Sequence, residues 1–309
     1  MIRTLWRTSR PLTVAGVVML VALVPFVVGI FVDPRVITGA PAWLKPAKFA
    51  ISTAIYSLTL AWVLQALPAW RGTRAVAGWT TAIVFAIEVG IIAAQAWRGT
   101  TSHFNVSSPL NAALFYSMGV LIIMQTIASV AVAVALWREQ HFTDHSMAWA
   151  MRLGMTLTVV GAATGGLMTR PTTAQLEQAA DTHMMTVAGA HTVGAPDGGP
   201  GLPGTGWSTE HGDVRVPHFV GLHGLQVLPL FVVAVRRRHW PESARVRAVM
   251  AAAVVYTGLY FTLLTQALLG ESFVQPGPMT LTMAAAVVAL GVATWALTAG
   301  RRPVATAVL

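Results

Sequence analysis

The sequence predicts an all-α integral membrane protein of eight transmembrane helices, arranged as two tandem four-helix repeats of the same orientation. Composition is the first of three observations behind that expectation: 55% of the 309 residues are hydrophobic and only 10% charged, against roughly 25% charged in a soluble domain. The apolar residues also gather into runs of about 20, the length a helix needs to cross the hydrocarbon core. Finally, the cations are distributed unevenly between alternate loops, as the positive-inside rule requires.

Taken in order, the predicted spans are 11–32, 48–67, 77–97, 110–136, 148–168, 217–235, 246–268 and 279–299. Arg3, Arg7 and Arg10 precede the first, and Ala40-Pro41-Ala42 after it resembles a signal cleavage site. Its apolar core is nevertheless longer than the roughly 7 to 15 residues of a signal peptide, so it is read as a retained helix. An even count places both termini on one side, predicted to be the cytoplasm of the cell membrane. That orientation puts 14 of the 20 Lys and Arg inside, including Arg71, Arg74, Arg236, Arg237, Arg238, Arg301 and Arg302. The outside then carries a net charge of −1 and the inside +11. The overall +9 therefore reports topology, and no basic water-facing domain is present to bind nucleic acid.

Three signatures recur in the same order along the chain. Pro11-Leu12-Thr13-Val14-Ala15-Gly16 matches Thr156-Leu157-Thr158-Val159-Val160-Gly161, and Lys45-Pro46-Ala47-Lys48-Phe49 matches Val216-Pro217-His218-Phe219. Gln95-Ala96-Trp97-Arg98-Gly99 matches Gln266-Ala267-Leu268-Leu269-Gly270. The offset is 145 for the first pair and 170 to 171 for the others, the excess falling in the long loop at 169–216. The repeats are accordingly placed at 1–140 and 141–309, related by an axis along the membrane normal.

Polar residues inside hydrocarbon are costly and so mark candidate chemistry. Glu88 is the single acid within a predicted span, with Gln95 seven residues on and hence on nearly the same helical face. It is read as a proton-relay or cation-binding group. His103, His191, His218 and His223 fall towards the outer side, with His218, His223 and Gln226 expected on one face of the sixth helix. Imidazole ligates copper, zinc or haem iron and carries protons near neutral pH. With no cysteine in the chain, thiolate metal sites and cysteine nucleophiles are excluded. No HExxH is present, and the HxxxH pair His141 and His145 lies in an inner loop.

Lys45 and Lys48 stand where positive charge is disfavoured, beside Trp43, as partners for Glu88, a lipid phosphate or haem propionates. The loop at 169–216 is expected to carry a short interfacial helix near 173–190, followed by a Gly/Pro-rich stretch holding His191, Asp197 and Trp207. It is read as a lid that brings His183 or His191 towards His218 and His223. His183 beside Met184 and Met185 is compatible with copper.

No Walker loop, GxGxxG context or GxSxG elbow supports ATP, dinucleotide or esterase chemistry. The leading functional reading is an outer-side binding or redox site for a metal or haem, built on His218 and His223 with His103 or His191, Glu88 handling protons. Lys45, Lys48, Gln95, Gln226 and Trp207 would contact the ligand. A proton-coupled transporter or channel using Glu88, or an interfacial lipid-modifying enzyme with a histidine base, are the alternatives. Membrane lipid and a small ligand are the expected partners.

Overall fold

The computed structural model describes residues 2–299, so Arg301, Arg302 and the C-terminus lie outside the described residues. It is almost wholly helical: α1 (Ile2–Thr8), α2 (Arg10–Val32), α3 (Leu44–Val63), α4 (Arg71–Trp97), α5 (Pro109–Arg138), α6 (His145–Met168), α7 (Thr173–Thr182), α8 (Arg215–Leu222), α9 (Gly224–Arg236), α10 (Glu242–Leu268) and α11 (Pro278–Ala299). Two short hairpins, β1 (Val36–Ile37) with β2 (Ala40–Pro41) and β3 (Thr192–Val193) with β4 (Gly212–Asp213), lie between helices. The long helices run up and down between an end rich in arginine and an end rich in histidine.

Helix boundaries follow local chemistry. Pro11 sits in the first turn of α2, and Pro109 opens α5 behind Ser108, whose Oγ accepts from the Asn111 amide at 3.3 Å. Asp144 caps α6 by accepting from Met147 at 2.9 Å, and Thr172 with Gln175 forms a reciprocal capping box on α7. α7 is shorter than the 173–190 expected, because His183 turns left-handed at φ 54° and ends it.

Among the described residues, six helices are long and apolar enough to cross a membrane: α2, α3 with its 3-10 extension to Ala66, α4, α5, α10 and α11. α8 and α9 together make a seventh candidate, bent by 48°. The expected span at 148–168 is α6, whose 24 residues reach about 36 Å. Arg152, three threonine hydroxyls and four glycines keep its apolarity below that of the others. The Arg152 guanidinium is instead enclosed by Trp137, Phe142 and Trp149, 5.2 to 5.9 Å from each ring, while donating to the carbonyls of Leu136 and Glu139.

One apolar core runs through both halves, from Leu12, Leu60 and Leu64 to Met155, Leu225 and Leu228. Small residues let α6 approach α8 and α9. A Cβ on Gly161 would stand 2.5 Å from the Gly221 carbonyl carbon, and one on Gly154 2.7 Å from the Gly224 oxygen. Such backbone contact is how helices associate where hydrocarbon surrounds them.

α4 and α10 close alike at the histidine end. Gly99 and Gly270 take φ of 73° and 78°, the left-handed geometry that glycine permits without a Cβ penalty. Gln95 Nε2 donates to the Thr101 carbonyl at 3.2 Å, and Gln266 Nε2 to the Ser272 carbonyl at 2.7 Å. The same six-residue reach thus ties down both of the chain segments that follow.

Candidate functional site

The candidate site is built where the 169–216 segment seats on the histidine end. That segment is anchored to four neighbours. Ala188 N donates to Phe104 O at 2.8 Å and Ala190 N to Met168 O at 3.0 Å. Ser272 Oγ donates to Ser208 O at 3.2 Å, and Gly198 packs on the Thr38–Gly39 turn. The expected lid is therefore a packed cap, in which Ala188, Thr192, Ser208 and Asp213 are themselves buried.

Under the cap, imidazoles and cations alternate with phenyl rings. Lys45 Nζ lies 6.0 Å from the Phe49 ring, Phe49 5.7 Å from His103, and Phe104 contacts both His103 (6.1 Å) and His191 (4.8 Å). Lys48 Nζ donates to the Thr205 carbonyl at 2.8 Å, joining α3 to the cap. The Lys45 charge reaches both His103 and His191, and His191 lies within electrostatic range of His218. So the fold brings Lys45, His103 and His191 into one chain of ring contacts, with His218 within electrostatic range of His191, which sequence separation alone could not show.

Two of these rings have fixed tautomers. A carbonyl only accepts, so His218 Nδ1 donates to Gly161 O at 2.7 Å, and His191 Nδ1 donates to Asp197 Oδ2 at 2.5 Å. Each Nε2 of the neutral ring then carries the lone pair. Ser102 Oγ shares a 3.1 Å hydrogen bond with His103 Nδ1.

His223 is placed differently from expectation. Rather than sharing a helical face with His218, it occupies the break between α8 and α9, while Gln226 follows on α9. Gly221 and Gly224 flank the break, and Thr158 bridges it: its Oγ1 donates to Leu222 O at 3.0 Å and accepts from Leu225 N at 3.2 Å. Tyr256 Oη donates to the Val220 carbonyl at 2.6 Å. A helix interrupted at membrane depth is tolerated only where such partners satisfy the freed backbone groups. The His223 ring packs on Phe219 at 4.2 Å, and Phe219 in turn on Trp207 at 5.6 Å, forming a second aromatic group apart from the first.

Gln95 is committed to structure, its amide donating to Thr101 O and Asn111 Oδ1 while its oxygen accepts from Arg98. Glu88 sits about two turns below, on the buried stripe Thr81, Phe85, Glu88, Ile92 and Gln95 of α4. Its Oε1 is buried with no hydrogen-bond partner. Lys45 is within electrostatic range of it but makes no ion pair with it.

Sequence reading passed over Arg215 and Asp213. Asp213 is 2% exposed and takes Arg215 Nε and Nη2 at 2.5 to 3.1 Å, while Arg215 also donates to Gly206 O at 2.6 Å. The same Asp-x-Arg fold-back occurs at Asp33 and Arg35, so the recurring tripeptide was the available signal. Among the described residues, no three His, Asp or Glu side chains converge to hold a metal ion. His183 and Met184 lie exposed on the cap. The two cavities described, about 320 and 480 Å³, open at the arginine end.

The cap is coupled to pH. Burial, with Lys45 and His191 adding to it, holds the His103 imidazole well below its usual 6.5. Burial also lowers His191, although Asp197 opposes it. Burial raises the Asp197 carboxyl, but the His191 ring and the His191 and Thr192 amides outweigh it, holding the acid well below the usual range. For both histidines the opened form binds more protons between the folded value and 6.5. Closure is therefore fully stabilised above about pH 6.5 and weakens as pH falls below it. Depressed Asp197 acts in the same sense at lower pH. Ala188→Cys in this cysteine-free chain is expected to label about tenfold faster at pH 5 than at pH 7.5, relative to an exposed Thr182→Cys control. His103→Phe should flatten that dependence, and a flat wild-type profile would refute the coupling.

These features define an all-helical chain whose long apolar helices are those of a multi-pass membrane protein, with a capped polar layer at one end. Neither a protein-family model, nor a curated protein, nor a solved structure matches the chain.

Proposed function

We propose that this is an eight-span protein of the cell membrane, made of two duplicated four-helix units, with both termini and the arginine end in the cytoplasm. α6 serves as the fifth span and the bent α8–α9 pair as the sixth. The matched closures of α4 and α10 support the duplication, and the arginine distribution supports the orientation. Thr182→Cys should label in intact cells with an impermeant maleimide, and Arg237→Cys only after permeabilisation. The reverse pattern would overturn the orientation.

Its function, in this reading, is proton-coupled movement of a small anionic solute from the outer side. The Glu88 carboxylate carries the argument: a buried acid oxygen without a partner, in a long apolar helix, within electrostatic range of Lys45. Buried polar groups are almost always satisfied, so an orphan invites a mobile partner such as water or a proton. It has company. Ser57 Oγ, Thr81 Oγ1 and Gln125 Oε1 are also buried and unpartnered, all in α3, α4 and α5, near the Tyr56–Ser129 hydrogen bond of 2.9 Å. In the second unit Thr158, Thr164, Tyr256 and Tyr260 are hydrogen-bonded, while Gln226 Oε1 and Arg245 Nε are the buried polar side-chain atoms without a partner among the described residues. Lys45 and Lys48 supply the attraction for an anion, and the broken helix beside His218 is the kind of element that gates such sites. The test is acidification of proteoliposomes carrying a pH-sensitive dye, driven by candidate carboxylate or phosphate solutes.

A second reading, haem binding, is favoured by one observation. His191 and His218 each have Nδ1 anchored by an acceptor, which is how metal-ligating histidines are commonly oriented. Purified protein with a Soret band would establish it, and a colourless preparation that binds no added haemin would exclude it.

A further inference from the structure

The arginine end holds a groove of about 480 Å³ between α1, the start of α2 and the start of α4. Trp6, Arg7, Arg10, Arg71, Arg74 and Trp79 line it, and no acidic residue does. None of these four arginines takes part in a salt bridge among the described residues, whereas Arg236 and Arg245 at the same end pair with Asp144. Arg74 is half-buried, with one Nη donating to the Thr8 carbonyl at 3.0 Å and a buried Nε that has no partner. The Arg10 guanidinium lies 6.0 Å from the Trp6 ring.

A guanidinium is planar and presents a fork of donors matched to two oxygens of a phosphate. Four of them, converging without counter-ions at the ends of apolar helices, form an anion site at the depth where headgroups lie. Trp6 and Trp79 are 45% and 60% exposed, and indole rings at such a boundary sit naturally among glycerol and acyl carbons. We infer that this groove binds the phosphate of an anionic membrane lipid, the lipid chains lying along the outward face of α2 and α4. Val14, Val18, Val76 and Ile83 on those faces are exposed and apolar, as a chain-contacting surface requires. The inference is separate from the transport reading, since it involves the opposite end of the molecule and none of its residues.

The test is thermal melting of the purified full-length protein with added short-chain phosphatidylglycerol, phosphatidylcholine of equal chain length, or inorganic phosphate. Phosphatidylglycerol is expected to raise the melting midpoint saturably, and the apparent affinity to fall at least about tenfold in R71Q/R74Q. R237Q/R238Q, which removes the same charge from the same end, should stay within about twofold of wild type. R71K/R74K, retaining charge but not the fork, should fall between, and it also serves if the glutamine pair does not fold. Equal losses in the two glutamine pairs would reduce the effect to diffuse attraction and overturn the site. So would phosphatidylcholine matching phosphatidylglycerol. Inorganic phosphate stabilising as much as the lipid at equal concentration would show a free-phosphate site and reject the lipid.

Discussion

Glu88→Gln is expected to reduce proton-coupled uptake by about 100-fold, the scale on which removal of a positioned proton-transfer group usually acts. The substitution preserves shape and a hydrogen-bonding oxygen while removing the exchangeable acid proton. Because the wild-type Oε1 has no partner, no native hydrogen bond from that atom is lost, and thermal stability should stay level or rise. Loss of transport in a protein that melts normally would therefore locate the defect in proton handling. Glu88→Asp, which keeps the acid but withdraws it by one methylene, should recover part of the rate. If Glu88→Gln carries protons as well as wild type, the acid is a packing residue and the transport reading fails. The result also stands apart from the lipid groove, whose arginines lie on α1 and at the starts of α2 and α4.

Gly161→Val should be the most destabilising of the substitutions considered, by about 3 kcal/mol or more, the upper range for overpacking a close contact. A Cβ there meets the Gly221 carbonyl carbon and the Leu222 amide nitrogen, both at 2.5 Å. Those atoms are backbone and cannot rotate aside as a side chain would. α6 and α8 would have to separate. The separation would strain two further ties across that contact, the His218 Nδ1 bond to Gly161 O and the Thr158 bridge over the helix break. Gly90→Val is the matched control, since a Cβ at Gly90 meets nothing within 4 Å. A thermal melt should separate the two variants by more than 5 °C for a domain of this size. Equal melting of the two would mean that the α6–α8 approach is not tight.

The helices were legible because hydropathy is local. The observed bounds Arg10–Val32, Pro109–Arg138 and Pro278–Ala299 differ little from the apolar runs. α6 was legible as a helix, but not in how it tolerates Arg152, which depends on rings from three places in the chain. The break at His223 was not legible at all. Gly221 and Gly224 weaken the helix there, yet whether it opens depends on Thr158, 65 residues earlier, supplying a hydroxyl to both freed backbone groups. The same holds for the candidate site. Histidines at the ends of spans were visible one by one, whereas the chain of contacts from Lys45 through His103 to His191 required the cap to fold back on the helix ends.

Sequence alone determined that this chain has helices long and apolar enough to cross a bilayer, where most of them lie, and which of their ends carry arginine and which histidine. These follow from transfer free energies summed over neighbouring residues, and need no knowledge of partners. Tertiary structure decided which polar groups are satisfied: Gln95 consumed by Thr101, Asn111 and Arg98, His191 and His218 anchored through Nδ1, Glu88 left with an open oxygen, and four arginines left without acids among the described residues. Hydrogen bonding and ion pairing depend on distances of a few ångströms between residues far apart in the chain, so only the packed helices could settle them.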